Sequence, residues 1–288
     1  MTRIYREVKN LDLKISGVIP AFDAEETLEA VILSLQSQKI PLKEIVVIDD
    51  GSEDKTSEIA NNNNCYLVKN SSNLGRGYSR NLGVKNSTSE FILFCDSSNL
   101  IRHDFTEKAI LHFEDPLVSA VFGRIKNEKS LNDRYSRWRG RHLFREHLPQ
   151  RKDVHPVNCL ITYAVVLRKD AIEAVGNFNE GLKKCEDIDL GKRLSDQGFK
   201  ILSDPSLCAY SIRRETMFSL CLRFNRWFSN DSEKSFRVFP TFWNTLRSCY
   251  GIYAKEDLKS RDFGSFIISL IMPFWLTAIG LFSPRKLN

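Results

Sequence analysis

An apolar run, Ile45-Val46-Val47-Ile48, stops abruptly at two adjacent carboxylates, Asp49 and Asp50, and a turn, Gly51-Ser52. Runs of Ile and Val of this kind read as strands covered on both faces. In open α/β sheets the crevice beyond the carboxyl ends of the strands is where ligands bind, so both carboxylates would stand where a ligand is met; the alternative is that Asp-Gly-Ser is turn chemistry leading into the next helix. Asp96-Ser97-Ser98-Asn99 follows a second such run, Phe91 to Cys95. Cys185-Glu186-Asp187-Ile188-Asp189-Leu190 enters a helical pattern, and its acids suit a first turn, where the helix dipole favours negative charge. Gly75-Arg76-Gly77 precedes a helical stretch carrying Arg80. Arg223-Phe224-Asn225-Arg226-Trp227 sets two arginines three residues apart, on one helix face, where both can meet a single anion or form a surface basic face.

Regular elements must hold these groups. Lys14 to Ile19 reads as a strand ended by Pro20, and Asp23 with Glu26 forms a capping-box pattern for the next helix. Leu28, Val31, Ile32 and Leu35 then recur as the buried stripe of an amphipathic helix. Glu44 to Ile48 is the second strand, Thr56 to Ala60 a short helix, Cys65 to Val68 a strand, Arg76 to Lys85 a helix and Phe91 to Cys95 a strand. This alternation predicts an α/β fold with a mostly parallel sheet built from right-handed crossovers. Further on, Leu160 to Leu167 and Phe199 to Leu202 read as strands. Lys169 to Val175 and Ile188 to Gln197 read as helices, ended by Gly176 and Gly198.

A chain of 288 residues, 42% hydrophobic and 27% charged, has the composition of a globular protein and excludes a multi-span membrane protein. It accommodates one catalytic domain with a C-terminal appendage. Met1 to Lys14 lacks an apolar core segment, so no secretory signal is expected. Seven scattered cysteines without CxxC spacing predict reduced thiols in the cytosol, with neither a disulfide framework nor a zinc site. Between Leu131 and Lys152, seven basic side chains face two acids, which places most of the net charge of +6 in one segment. There Arg134, Arg137, Arg141 and Arg145 fall at helical spacing, with Tyr135 and Trp138 between them. That pattern fits a solvated basic face, an anionic membrane surface or a phosphate-bearing acceptor. No recognition motif for nucleic acid accompanies it. Phe266 to Phe282 is an uncharged run of 17 residues, interrupted by Pro273 and Gly280. As a straight helix it reaches only ~26 Å, short of a ~30 Å hydrocarbon core, which leaves three placements open: interfacial or re-entrant, spanning, or buried.

Taken together, Ile19-Pro20-Ala21-Phe22-Asp23-Ala24-Glu25-Glu26-Thr27-Leu28, Val47-Ile48-Asp49-Asp50-Gly51-Ser52, Asn73-Leu74-Gly75-Arg76-Gly77 with Arg80-Asn81, and Cys185-Glu186-Asp187-Ile188-Asp189-Leu190 resemble the inverting glycosyltransferases of family 2, from about residue 14 to 230. The resemblance implies a GT-A fold, a Rossmann-like nucleotide-binding half (about 14–125) fused to an acceptor half (about 126–235), with 236–288 as a membrane-associated or packing segment. It implies a nucleotide-diphosphate sugar as donor and a glycan or lipid-linked acceptor. It also implies a role in cell-envelope polysaccharide biosynthesis on the cytosolic face of a membrane, with peripheral membrane contact and no nucleic-acid partner. Carried over by position, Pro20, Ala21, Phe22 and Glu25 would line the base and ribose pocket, Asp49 would accept from the base, and Arg80 would face the diphosphate. Phe22 and Asp23 stand where Tyr and Asn are more usual, so the ring has lost its hydroxyl donor. Asp187 would be the general base that takes the proton from the attacking acceptor hydroxyl, and Glu186 would orient the acceptor or the base. Arg223, Arg226 and Trp227 resemble an element that processive members place next to the diphosphate.

At Asp96-Ser97-Ser98-Asn99 the chain departs from the pattern. The family places a carboxylate near the ribose and a second on a divalent cation, and here the second is Ser98. Mg²⁺ and Mn²⁺ prefer charged oxygen ligands, so Asp96 and Asn99 are the remaining metal candidates and metal binding is expected to be weak, rearranged or absent. A dinucleotide fold is the rival for Gly75-x-Gly77, but Arg80 occupies the third glycine's place. A rival of another class is a catalytically impaired nucleotide-sugar binding or scaffold protein.

Overall fold

The expected alternation is realised in a computed structural model that describes residues 14–149, 151–228 and 238–282. In chain order the elements of the sheet-bearing part begin with β1 (Ile15–Ala21), α1 (Leu28–Gln36), β2 (Glu44–Asp49), α2 (Thr56–Asn62), β3 (Tyr66–Lys69), α3 (Arg76–Asn86), β4 (Phe91–Cys95), β5 (Asn99–Ile101) and α4 (Phe105–Ile110). After β6 (Val118–Asn127) and α5 (Arg134–His142) come β7 (His155–Val157), β8 (Ala164–Arg168), α6 (Lys169–Ala174), α7 (Glu186–Asp196) and β9 (Lys200–Ser211). The helices α8 (Met217–Phe228), α9 (Val238–Ser248), α10 (Ala254–Lys259) and α11 (Phe263–Phe282) follow. Over the described residues the chain separates into two compact units, one within Met1–Ile125 and Gln150–Ile212, the other within Lys126–Pro149 and Arg213–Asn288.

The sheet order is β3-β2-β1-β4-β8-β6-β9-β5, with β7 paired to β9. Strands β1 to β4 pair in parallel, whereas β8 runs antiparallel to both β4 and β6, and β5 and β7 run antiparallel to β9. The sheet is therefore mixed, parallel in its nucleotide-type half and antiparallel beyond β4. Val18, Ile19, Val46, Val47, Ile48 and all of Ile92 to Cys95 have no accessible surface, as expected of strands covered on both faces. The stripe Leu28, Val31, Ile32 and Leu35 is equally buried. Register aligns Ala21 with Asp49 and Asp49 with Lys69, so the ends of three strands are level. β1 has β2 on one side and β4 on the other, which makes the edge between them the point where strand order reverses.

Several expectations are revised. β1 continues through Pro20 to Ala21, because its pairing with β4 ends at Val18 and leaves that end of the strand open on one side. Asp23 does not cap α1; it takes a left-handed backbone (φ 45°) and its Oδ1 accepts from the Glu53 amide at 3.2 Å. The expected strand at Leu160 begins only at Ala164. β9 runs from Lys200 to Ser211, well past the expected end at Leu202, with Arg124 donating to the Pro205 carbonyl. The close helix-strand approach denied by the missing third glycine is supplied by Gly83, where a Cβ would lie 2.3 Å from Val18 Cγ1.

The second unit has its own core of Trp138, Leu220, Cys221, Cys249, Ile268 and Met272. Three of the basic segment's arginines are engaged inside this unit, whereas Arg134, Arg145, Arg151 and Lys152 are exposed. Arg137 makes a fork to Asp262 at 2.9 and 3.0 Å, Arg141 meets Asp257 at 2.5 Å, and fully buried Arg139 meets Glu215 at 3.0 Å. Trp138 donates to Ser269 Oγ, which donates to Asp257. Pro273 and Gly280 do not break α11, whose Ile268, Met272, Leu276 and Ile279 pack into this core. The bond lost at an internal proline, worth about 3 kcal/mol with its clash, is offset by that burial.

Candidate active site

Asp50 builds the first wall. It is nearly inaccessible; its Oδ1 accepts from Asn70 Nδ2 at 2.8 Å and the Leu74 amide at 3.0 Å, and its Oδ2 from the Gly75 amide at 2.9 Å. Gly75, at φ 97°, is the residue from which α3 departs, so Asp50 sets the start of the helix that carries Arg76 and Arg80. Asp49 lies behind it with no accessible surface. Its oxygens accept from the Ser52 amide at 2.8 Å and from Ser57 Oγ, and Lys69 Nζ stands 3.6 Å away. Asp49, the expected acceptor for a base, is thus enclosed, and its carboxylate organises the turn. The loop after β1 is tied to the same turn: the amides of Asp23, Ala24 and Glu25 donate to Ser52, Thr56 and Asp54. Pro20 to Glu25 are therefore brought beside Asp49 to Ser52, with the Phe22 ring exposed and Ala21 buried.

Arg80 is the centre of the second cluster. It is 3% exposed, its Nη1 donates to Glu186 Oε1 at 2.6 Å and its Nη2 to Asp96 Oδ1 at 3.3 Å, and its guanidinium carbon lies 5.6 Å from the Phe178 ring centre. The resemblance sets this guanidinium against the donor diphosphate; here both of its Nη atoms are engaged by carboxylates. Burial alone would lower its pKa, but Glu186, Asp96 and Asp187 together raise it above the ordinary arginine value. Neighbouring Asn81 clamps the Phe178 backbone on both sides, accepting from its amide at 2.9 Å and donating to its carbonyl at 2.9 Å.

Cys185, in a left-handed conformation (φ 62°), turns the chain into α7, and Glu186 and Asp187 follow in the first turn. The two carboxyls are driven apart. Burial would raise Glu186, yet the charges of Arg80 and Arg76 hold it below the usual range. Asp187 is raised, first by burial and then by the negative charge of Glu186, with Arg80 opposing. Asp187 is half-buried, and Thr162 Oγ1 donates to its Oδ2 at 3.4 Å. A partly open carboxylate of raised proton affinity beside a fixed ion pair is suited to accept a proton. Sequence reasoning missed exposed Arg76, Thr162 and the organising part of Asp50; only the hydroxyl's position against α7, 25 residues on, reveals Thr162.

Arg223, Arg226 and Trp227 lie in the second unit, on α8. Arg223 Nε donates to Glu215 Oε1 at 2.7 Å, and the Trp227 ring packs 5.8 Å from that of Phe144.

The loop after β4 does not fit a protein-held Mg²⁺ or Mn²⁺. Asp96 is bonded to Arg80, Ser98 offers only a hydroxyl, and Asn99 is buried with its Nδ2 donating to the Tyr163 carbonyl at 3.2 Å. Among the described residues no three His, Cys, Asp or Glu side chains group closely enough to hold an ion. Asp96, whose side chain is 43% exposed, has no second charged oxygen beside it at Ser98 or Asn99. Calorimetric titration of the nucleotide-free protein with Mn²⁺ should show no saturable binding tighter than about millimolar, the weak end for sites short of charged oxygens. Ser98→Asp should tighten it measurably. Tight binding by the unmodified protein would refute this account of the loop.

Solved glycosyltransferases share this architecture. The chain superposes on S. aureus TarS 1–349 with a TM-score of 0.54 at 18% identity, covering 90% of this chain and 91% of that one. It superposes on the mannosyltransferase PcManGT from Pyrobaculum calidifontis, solved with GDP-Man and Mn²⁺, with a TM-score of 0.59 at 14% identity, covering 99% and 82%. Among curated proteins, the poly-beta-1,6-N-acetyl-D-glucosamine synthase of Staphylococcus aureus is 25% identical over 253 residues, which are 85% of this chain and 61% of that protein. The glycosyl transferase family 2 model matches residues 16–176, the segment that holds Asp49, Asp50, Arg80 and Asp96 and more than half of the chain. A GT-A sheet with carboxylates at its switch point and a family match over that same segment make this chain a glycosyltransferase that belongs to family 2.

Proposed function

We propose that the chain moves one sugar from a nucleotide-diphosphate donor to a hydroxyl of a glycan or lipid-linked acceptor, with inversion at the anomeric carbon and Asp187 as general base. The observation that carries this reading is the carboxylate pair at the start of α7, one held ionised by Arg80 and the other half-open with raised proton affinity. In a single displacement the acceptor oxygen attacks the anomeric carbon, its proton passes to Asp187 and the nucleoside diphosphate leaves; no covalent enzyme intermediate is needed. Exposed Arg76 at the N-terminus of α3 supplies positive charge for the leaving group. Pro20, Phe22 and Glu25 frame the base and ribose, with the exposed Phe22 ring as a stacking face.

For the donor we favour the UDP-N-acetylhexosamine class. The synthase relatives named above and TarS solved with UDP-GlcNAc support that class. The exposed residues Phe263, Ile267, Ile271, Phe274 and Trp275 of α11 support contact with a membrane surface.

A thermal-shift and turnover screen of nucleotide sugars tests the reading. UDP-GlcNAc at a hundred times its Kd should stabilise the protein by about 2.7 kcal/mol, and slow release of UDP should accompany it. Stabilisation without any turnover would favour the non-catalytic rival, and no response to any nucleotide sugar would refute donor binding.

A further inference from the structure

We infer that Arg80 is a positioning residue rather than a donor ligand: its guanidinium fastens Glu186, at the start of α7, to Asp96, at the end of β4, and thereby holds Asp187 at its working position. The inference rests on the reading of Asp187 as base.

The geometry is that of a clamp closed to solvent. A residue 3% exposed, whose two Nη atoms are bonded 2.6 Å and 3.3 Å from carboxylates lying 106 and 16 residues away in sequence, is a cross-link between elements. Its Nε is buried without a hydrogen-bond partner, so the two carboxylates and the face of Phe178 are what hold the group. Phe178 is itself held by Asn81, the next residue on α3, and packs edge-on against Phe94 of β4 at 5.7 Å. Consecutive residues of one helix thus pin both the loop before α7 and its first turn. The guanidinium holds its two Nη groups in one fixed plane, one toward each carboxylate, a spacing and direction that the compact charge of a lysine ammonium does not reproduce.

Glu186 is followed directly by Asp187, and the peptide between them transmits any shift of the clamp. The charged and titratable groups acting on Asp187 are Glu186 on its own helix, Arg80 on α3 and Asp96 after β4. Arg76 acts on Glu186, and the thiols of Cys159 and Cys185 feel the Asp187 charge. Arg80 is the cation that lowers the proton affinity of Asp187, and Glu186, with a smaller part from Asp96, raises it. Removing one or the other should therefore move the ionisation of Asp187 in opposite directions.

The test is the pH dependence of kcat for UDP release, with donor KM measured alongside, in Arg80→Gln, Arg80→Lys, Glu186→Gln and Asp187→Asn. Arg80→Gln should lower kcat by roughly tenfold or more while donor KM changes less than about threefold, the pattern of an interaction that matters in the transition state. Its acid limb should move to higher pH by about one unit, the low end for loss of a nearby opposite charge. Arg80→Lys should keep the limb near its original place but recover kcat only in part. Glu186→Gln should move the limb to lower pH, and this variant decides the matter if Arg80→Gln does not fold. A donor KM raised about tenfold in Arg80→Gln, with kcat and the acid limb unmoved, would make Arg80 a donor ligand and overturn the inference. An inactive Asp187→Asn together with unmoved limbs in the other variants overturns the positioning role alone. An active Asp187→Asn overturns the base assignment and the inference with it.

Discussion

Asp187→Asn should lower kcat by about 10²–10⁴, the range for loss of a general base, while leaving donor KM nearly unchanged. The amide keeps the shape of the carboxylate and can stay near Thr162 Oγ1, the 3.4 Å partner of Asp187 Oδ2, but it cannot take a proton from the acceptor. Arg80 stays bonded to Glu186 and Asp96, so the fold around the site should survive. Steady-state turnover with a saturating nucleotide sugar checks this, with the melting temperature of the variant as control. Retention of more than about a third of the original kcat would transfer the role to Glu186 or to a group elsewhere, because no general base contributes so little.

Arg139→Met should destabilise the protein by about 3 kcal/mol, the low end for breaking a buried ion pair. Arg139 has no accessible surface, and its Nε and Nη1 donate to Asn127, the Arg213 carbonyl and Glu215. Burial lowers its pKa to about 10, so it remains charged at neutral pH. Truncation strands Glu215 in the interior with Arg223 and Ser219 as remaining partners, which is why the low end is expected. A pH dependence follows. Burial would raise the Glu215 carboxyl, but Arg223, Ser219 and Arg139 together hold it below its ordinary value. A carboxyl depressed in the folded state contributes stability that is complete above its unfolded pKa of ~4.3 and is lost as pH falls through the folded value. Urea midpoints should therefore fall below pH ~4.3 in the parent protein and fall less steeply in Arg139→Met, where the depression is smaller. A loss under about 1 kcal/mol would place the pair among interactions of surface strength and contradict its burial.

The elements legible in the sequence were those whose periodicity is set by burial on a known face. The Ile/Val runs of β2 and β4 and the stripe of α1 read correctly because a covered strand and an amphipathic helix each impose their own pattern. The antiparallel half was harder. β5 and β7 are three residues each, too short for any period, and β9 contains a proline that locally imitates a strand end. At the site, Glu186-Asp187 was readable as a helix-entry acid pair, whereas the surroundings of Arg80 were not. Nothing in Arg80 and its neighbours tells a buried guanidinium from an exposed one when its main partner lies 106 residues away. Asp49 and Asp50 show the same limit. Adjacent carboxylates alternate in direction along a strand end, and which one is sealed by turn hydroxyls and which one ties down the glycine loop depends on Ser57 and on Asn70 to Gly75, contributed by separate loops. Within the basic segment at 131–152, the pairing of Arg137 and Arg141 was illegible for a related reason, since their partners Asp262 and Asp257 come from more than a hundred residues further on.

A single displacement at the anomeric carbon promoted by Asp187 is tested most directly by the anomeric configuration of the sugar released from an α-linked donor. Water can stand in for the acceptor, so the measurement needs no knowledge of the natural one. Proton NMR of the sugar released in slow donor hydrolysis, recorded before mutarotation, should show the β anomer as the first product, and Asp187→Asn should suppress its formation. The α anomer appearing first would require a double displacement or a front-face reaction, and would contradict the assignment of Asp187 as the base of an inverting transfer.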